Sequence, residues 1–122
     1  MMTNPIRLGR AVTEPYLEDH DAGSSLDGPV LEIDRAIRCL SFQGYVTSGS
    51  PVGELKVQLS IIEDVWTDLE GCKAVKVDLT TNQDFMIIIP EQSSYAGKIR
   101  LVWTGSAEST GTFTVFQRIM PI

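Results

Sequence analysis

His20 stands in Glu18-Asp19-His20-Asp21, where this chain gathers residue types that bind metals. Imidazole and carboxylate oxygens suit divalent cations, but a coordination shell needs ligands that converge from fixed positions. Adjacent residues of an extended segment do not preorganise such a shell, and no Asp-x-Asp-x-Asp-Gly calcium loop is present. The cluster reads as a solvated acidic loop, and no metal or other cofactor is expected. Because His20 is the only histidine, a His-dependent triad or a multi-His centre would have to be built around it. Gly49-Ser50-Pro51-Val52-Gly53 resembles a nucleophile elbow only superficially, since the serine is out of register and a proline follows it. Glu63-Asp64 and Asp68-Glu70 flank Trp66, and acid pairs beside an aromatic ring occur in glycosidases. A cleft with raised-pKa acids would leave so small a domain little core, so these read as charged loops around a core-edge tryptophan. No phosphate loop or dinucleotide fingerprint is present, and the chain is expected not to be an enzyme. Cys39 and Cys72 have neither metal-ligand nor C-x-x-C spacing and read as reduced thiols of a protein made in a cytoplasm. Tyr45, Trp66 and Tyr95 fall at or beside loops, where an aromatic platform could stack on a sugar ring.

The elements that must position these residues follow from length and periodicity. The 122 residues suit one domain with one buried core, and 43% hydrophobic residues argue against wholesale disorder. A net charge of −6 argues against direct nucleic-acid binding, which draws its affinity from Lys and Arg. The longest apolar run, Phe85 to Pro90, is far short of a membrane span, and no membrane contact is expected. Residues 1–20 carry Arg7, Arg10, Glu14, Glu18 and Asp19 with no apolar stretch between them, so no signal peptide is expected.

From Pro29 onward the apolar period is two. Leu55, Val57, Leu59 and Ile61 alternate with Lys56, Gln58 and Ser60, and Val75–Leu79, Ile99–Trp103 and Phe113–Gln117 repeat the pattern. Ile37–Val46 adds a strand with Leu40, Phe42 and Val46 on one parity and Ile37, Cys39 and Tyr45 on the other. Phe85–Ile89 is apolar on both parities and reads as a strand covered on both faces. Pro29–Asp34 suggests one more short strand, and only Ser60–Glu70 could be argued as helix. Turn clusters recur about every ten residues, and no helix is long enough for a parallel crossover. The expected fold is all-β, an antiparallel, jelly-roll-like β-sandwich over residues 29–122. Residues 1–28 show no sustained period and read as an extended N-terminal arm.

Two segments echo each other. Tyr45-Val-Thr47 runs through a Gly/Ser turn into Gly53-Glu-Leu-Lys-Val57, and Trp103-Thr104 runs through Gly105-Ser106 into Gly111-Thr-Phe-Thr-Val115. Each reads as a β-hairpin, with glycine at the positions that need φ > 0.

Over residues 40–117 these motifs carry a resemblance. Ser50-Pro-Val-Gly-Glu-Leu-Lys-Val-Gln-Leu-Ser60, Trp66-Thr-Asp-Leu69, Ile99-Arg-Leu-Val-Trp-Thr104 and Ser109-Thr-Gly-Thr-Phe-Thr-Val115 resemble a group of small bacteriophage virion proteins. That group's typical line reads Gly-x-Leu-x-Val-Gln-x-Ser, Trp-Thr-x-Leu, Tyr-Ile-Arg-Leu-Val-Tyr-Thr and Ser-x-Gly-Thr-Leu. The cadence is also similar to discoidin-like, galactose-binding-type β-sandwich domains. The chain departs from the group at Ile61-Ile-Glu-Asp-Val65, where an Asn-Asp-Gly loop usually stands. The resemblance implies a virion protein: a capsid, decoration (cement) or tail-associated subunit, forming a homo-oligomer and contacting other virion proteins. The arm, with Pro5, Ile6, Leu8, Pro15 and Tyr16, is expected to make the contacts between subunits. The alternative is a carbohydrate-binding module for host attachment, on a tail or spike, using Tyr45, Trp66 or Tyr95.

Overall fold

The structure is a computed structural model that describes residues 12–33, 37–69, 75–78, 83–89 and 97–121. Among these residues every regular element is a strand: β1 (Val12–Asp21), β2 (Leu26–Asp27), β3 (Leu31–Ile33), β4 (Ile37–Ser48), β5 (Val52–Ser60), β6 (Thr67–Asp68), β7 (Val75–Asp78), β8 (Asp84–Ile89), β9 (Gly97–Gly105) and β10 (Thr112–Pro121). The first sheet has the order β1-β10-β4-β8. In the second, β9 pairs with β5; β2 and β3 share the far side of β9, and β6 and β7 share the far side of β5. Every pairing is antiparallel, and the two sheets pack face to face as the expected β-sandwich. Alternation explains the layering: Leu55, Val57, Ile99, Leu101 and Trp103 face Leu40, Phe42, Val46, Phe113 and Val115 across a buried apolar interior.

Aromatic rings fill its centre. Phe113 meets Trp103 edge-on with centroids 5.0 Å apart and Phe85 at 6.2 Å, while Tyr16 meets Phe42 at 5.1 Å. The Phe85 ring lies over its cross-strand partner Gly44, occupying the space a Cβ there would need. Ile37 is buried with Leu40 although their parities differ. The register shifts between Met120 and Pro121, so a bulge opposite them turns Ile37 inward.

Two expectations are corrected. The echoing segments are not hairpins: β4 lies in the first sheet and β5 in the second, and β9 and β10 are divided likewise. Each segment is an arch from one sheet to the other. The arches lie against each other, because β4 pairs with β10 and β5 with β9, and the paired ribbon bends around the sandwich corner. The glycines mark that bend. Gly53 is opposite Gly105 in register, and Gly49 (φ 68°) packs on Gly111 (φ 83°). Ser109 Oγ accepts the Val52 N–H at 2.9 Å, and Ser106 N–H donates to Val52 O at 2.9 Å, pinning one arch to the other.

The reading of residues 12–27 as part of an extended arm is corrected as well. Residues 12–27 supply β1 and β2, and β1 pairs with β10 from Val12↔Ile119 to Asp21↔Thr112. Register shifts between Pro15 and Leu17 and between Leu17 and His20 break its alternation, which hid the strand from a periodicity reading. Tyr16, only 7% exposed, and Ala22 belong to this chain's own core rather than to an exposed arm; Pro15 stays exposed on β1. Pro5, Ile6 and Leu8 lie outside the described residues.

Tyr16 ties the sheets together. Its hydroxyl donates to Pro29 O at 2.6 Å and accepts the Leu101 N–H at 3.0 Å. Burial pushes its pKa from 10 up to about 12, against the opposing pull of the Leu101 N–H and of nearby Arg100. Tyr16→Phe strands a buried donor and a carbonyl and is expected to cost about 1–3 kcal/mol in urea unfolding at neutral pH. The folded state holds this proton more tightly than the unfolded chain, so the stabilisation is complete below pH 10 and falls away toward pH 12. The wild-type and Tyr16→Phe stability curves should therefore converge over that interval.

Candidate functional site

The second sheet carries a polar ladder on its outer face. Gln58 lies between Arg100 on β9 and Asp68 on β6 in the strand registers. Its Oε1 accepts from Arg100 Nε at 3.0 Å and Nη2 at 2.8 Å, and its Nε2 donates to Asp68 Oδ1 at 3.0 Å. Lys56 Nζ reaches Asp68 Oδ2 at 3.4 Å, and Arg100 Nη1 lies 3.7 Å from Asp27. The Gln58 hydrogen bond, with Lys56 beside it, holds the Asp68 carboxyl below its ordinary range despite some desolvation. The Arg100 guanidinium lies 4.0 Å from the centroid of the Trp66 ring and covers one of its faces. This ladder neutralises its own charges and holds Trp66 in place.

Beside it, the β5–β6 loop raises aliphatic side chains into solvent. Ile61 is 78% exposed, and Ile62 and Val65 are also exposed. A turn closed by Val65 N–H to Ile62 O at 3.1 Å and by Ser60 Oγ to Ile62 O at 2.6 Å fixes the loop, with Asp64 left-handed at φ 61°. Shallow depressions flank it, one lined by Gly97 and Lys98 and the other by Leu59 and Thr67.

The outer face of the first sheet mixes polar and apolar side chains. Pro15, Phe116, Gln43 and Met86 share one row across its four strands, and Thr13, Arg118, Ser41 and Ile88 share the next. Met86 is 51% and Ile88 61% exposed, which corrects the expectation that β8 is covered on both faces. A depression lined by Thr13, Gln43, Gly44, Tyr45, Asp84 and Phe116 lies beside them. Met86 and Ile88 stand exposed with the polar Gln43 and Ser41 beside them in register.

Among the described residues, those singled out for chemistry are not brought together. His20 Nε2 donates to Ser24 O at 2.9 Å, and its ring meets Phe113 edge-on at 5.3 Å. Asp19 bonds Thr114 through its backbone N–H and its carboxylate, and Asp21 accepts the Gly23 N–H at 2.9 Å. These groups close the end of β1; among the described residues no three His, Cys, Asp or Glu side chains converge on a metal position. Ser50 lies in the corner, where its N–H donates to Thr110 Oγ1 at 3.2 Å. Glu63 and Asp64 are exposed on the loop, and Glu70, Cys72 and Tyr95 lie outside the described residues. Cys39 is a half-buried free thiol on β4. Tyr45 and Trp66 sit on opposite outer faces of the sandwich and form no joint platform. Periodicity missed Met86 and Ile88 as surface residues, because a strand apolar on both parities carries no signal of which face is open.

The described residues form a small all-β sandwich with shallow depressions on its surface. No family model matches the chain, and no curated protein matches it. Among solved structures it is similar to the SPBc2 prophage-derived protein YomS, with a TM-score of 0.58 and 16% identity. That alignment covers 96% of this chain and 98% of the other. At that identity the likeness shows a shared fold along nearly the whole of both chains. The discoidin-like side of the resemblance gains no support from it.

Proposed function

We propose that this chain is a non-enzymatic structural protein of a bacteriophage virion, a capsid-associated or decoration subunit that works in many copies with other virion proteins. The observation that carries the proposal is the end-to-end fold likeness to a prophage-derived protein. The exposed aliphatic side chains of the first sheet and of the β5–β6 loop agree with it, because such surfaces suit protein partners more than small ligands. Repeated weak contacts gain strength when copies sit on a common lattice. The host-attachment alternative draws less support, since one face of Trp66 is taken by Arg100 and Tyr45 stands on the other sheet.

Mass spectrometry of purified particles tests the proposal. The chain should appear in multiple copies per particle, cross-linked to capsid subunits. Its confinement to the soluble fraction of lysed cells would overturn the assignment. Cross-links to tail subunits alone, with quenching of tryptophan fluorescence by host polysaccharide, would favour attachment instead.

A further inference from the structure

The two edges of the first sheet are built differently. Edge strand β1 carries Glu14, Pro15, Glu18, Asp19 and Asp21 and has two register shifts. Charges, proline and bulges of this kind prevent one sheet edge from pairing with another. Edge strand β8 carries one charge, Asp84 at its first position, and neither a proline nor a register shift. It reads Asp84-Phe-Met-Ile-Ile-Ile89, pairs with β4 without a register shift, and no described strand pairs with its other side. Its backbone phase can be read from one bond. Val46 N–H donates to Gln83 O at 2.9 Å, so the pairs that exchange hydrogen bonds with β4 fall at the odd positions, 85, 87 and 89. Asp84, Met86 and Ile88 therefore direct their N–H and C=O groups to the open edge, and the side chains of Met86 and Ile88 are the exposed ones.

We propose that β8 is a self-association edge, at which two copies of this chain join antiparallel about a two-fold axis through Ile87 and merge their first sheets. In this register Met86 of one copy faces Ile88 of the other, and each such pair exchanges both N–H···O bonds using the groups left open. Phe85 faces Ile89 of the second copy on the inner side. Asp84 falls outside the pairs that residues 85 to 89 make with each other, so no charged residue lies among them. A register centred on Met86 would instead set Asp84 against Ile88. A second copy fits this edge better than a foreign strand, because the uncharged run is complementary to itself. One six-residue edge buries less than the roughly 1,000 Å² of a stable dimer, so association is weak in dilute solution and firm where copies are concentrated. The inference concerns the isolated chain and does not rest on the virion reading.

Sedimentation velocity of the full chain should show a monomer at about 1 μM passing to a dimer toward about 500 μM. Ile88→Pro removes an N–H that no pairing among the described strands uses, and M86K/I88K places charges across the axis. Both variants should stay monomeric at the highest concentration and keep the wild-type circular dichroism. M86C/I88C should form a covalent dimer on mild oxidation, because cross-strand Cα atoms about 5.5 Å apart lie within disulfide reach. A wild type monomeric throughout, or a dimer that Ile88→Pro leaves intact, would overturn the inference. A dimer lost only on deletion of residues 1–11 would place association in the arm and also overturn it. Virion incorporation is read separately, so either proposal can fail while the other stands.

Discussion

Removal of residues 1–28 is expected to abolish folding, while removal of residues 1–11 leaves a cooperatively folded sandwich. The longer deletion takes away β1, which borders β10 along its whole length, and with it the Tyr16 ring. Loss of a buried aromatic side chain costs about 3–5 kcal/mol. It also strands two buried donors, since Leu101 N–H loses the Tyr16 hydroxyl and Trp103 Nε1 loses Ala22 O at 3.1 Å. Each stranded donor adds about 1–3 kcal/mol, and the sum consumes most of the 5–15 kcal/mol that holds a domain of this size. The shorter deletion touches none of these contacts. Circular dichroism and urea unfolding of the two truncations provide the comparison. A well-folded 29–122 fragment would show that β1 only decorates the sandwich.

Gly111→Val should be the most damaging single exchange at the corner, lowering stability by about 2–4 kcal/mol. A Cβ at this position would collide with the carbonyl of Ser48, a backbone atom that cannot move without opening the β4–β5 arch. The backbone is also left-handed there, with φ 83°, which disfavours every β-branched residue. Because Gly111 O accepts the Ala22 N–H at 2.9 Å, the disturbance reaches the β1–β2 turn as well. Gly23→Ala is the control. Its nearest neighbour is the Asp21 carboxylate at 3.2 Å, a side chain that can give way, and the loss should be below about 1 kcal/mol in urea titrations.

Strand content and most strand positions were legible along the chain. In β5, β9 and β10 the two-residue period is a local property: each side chain's direction is set by its own backbone, and one face of each strand meets the core. The Gly/Ser clusters likewise announced where the chain reverses. Their meaning was not legible, because a hairpin and a sheet-to-sheet arch use the same residues. Which one forms depends on whether the two flanking strands find each other or find partners elsewhere. Here β4 finds β10 and β5 finds β9, across separations of many tens of residues.

The candidate site shows the same division. The charged, exposed Glu63 and Asp64 of the β5–β6 loop follow from residue types, but the exposure of Ile61, which shares the apolar parity of Leu55, Val57 and Leu59, does not. The bareness of Met86 and Ile88, the burial of Tyr16 and the parting of Tyr45 from Trp66 do not. By itself, the sequence determined that this is an acidic all-β chain with alternating strands and glycine-marked turns, since propensity and periodicity act over a few residues. Only the tertiary structure decided that residues 12–27 belong to the sandwich, how its corner is built and which edge no described strand covers. Those outcomes depend on what lies across a sheet or a core from each strand, and such neighbours are distant in the chain.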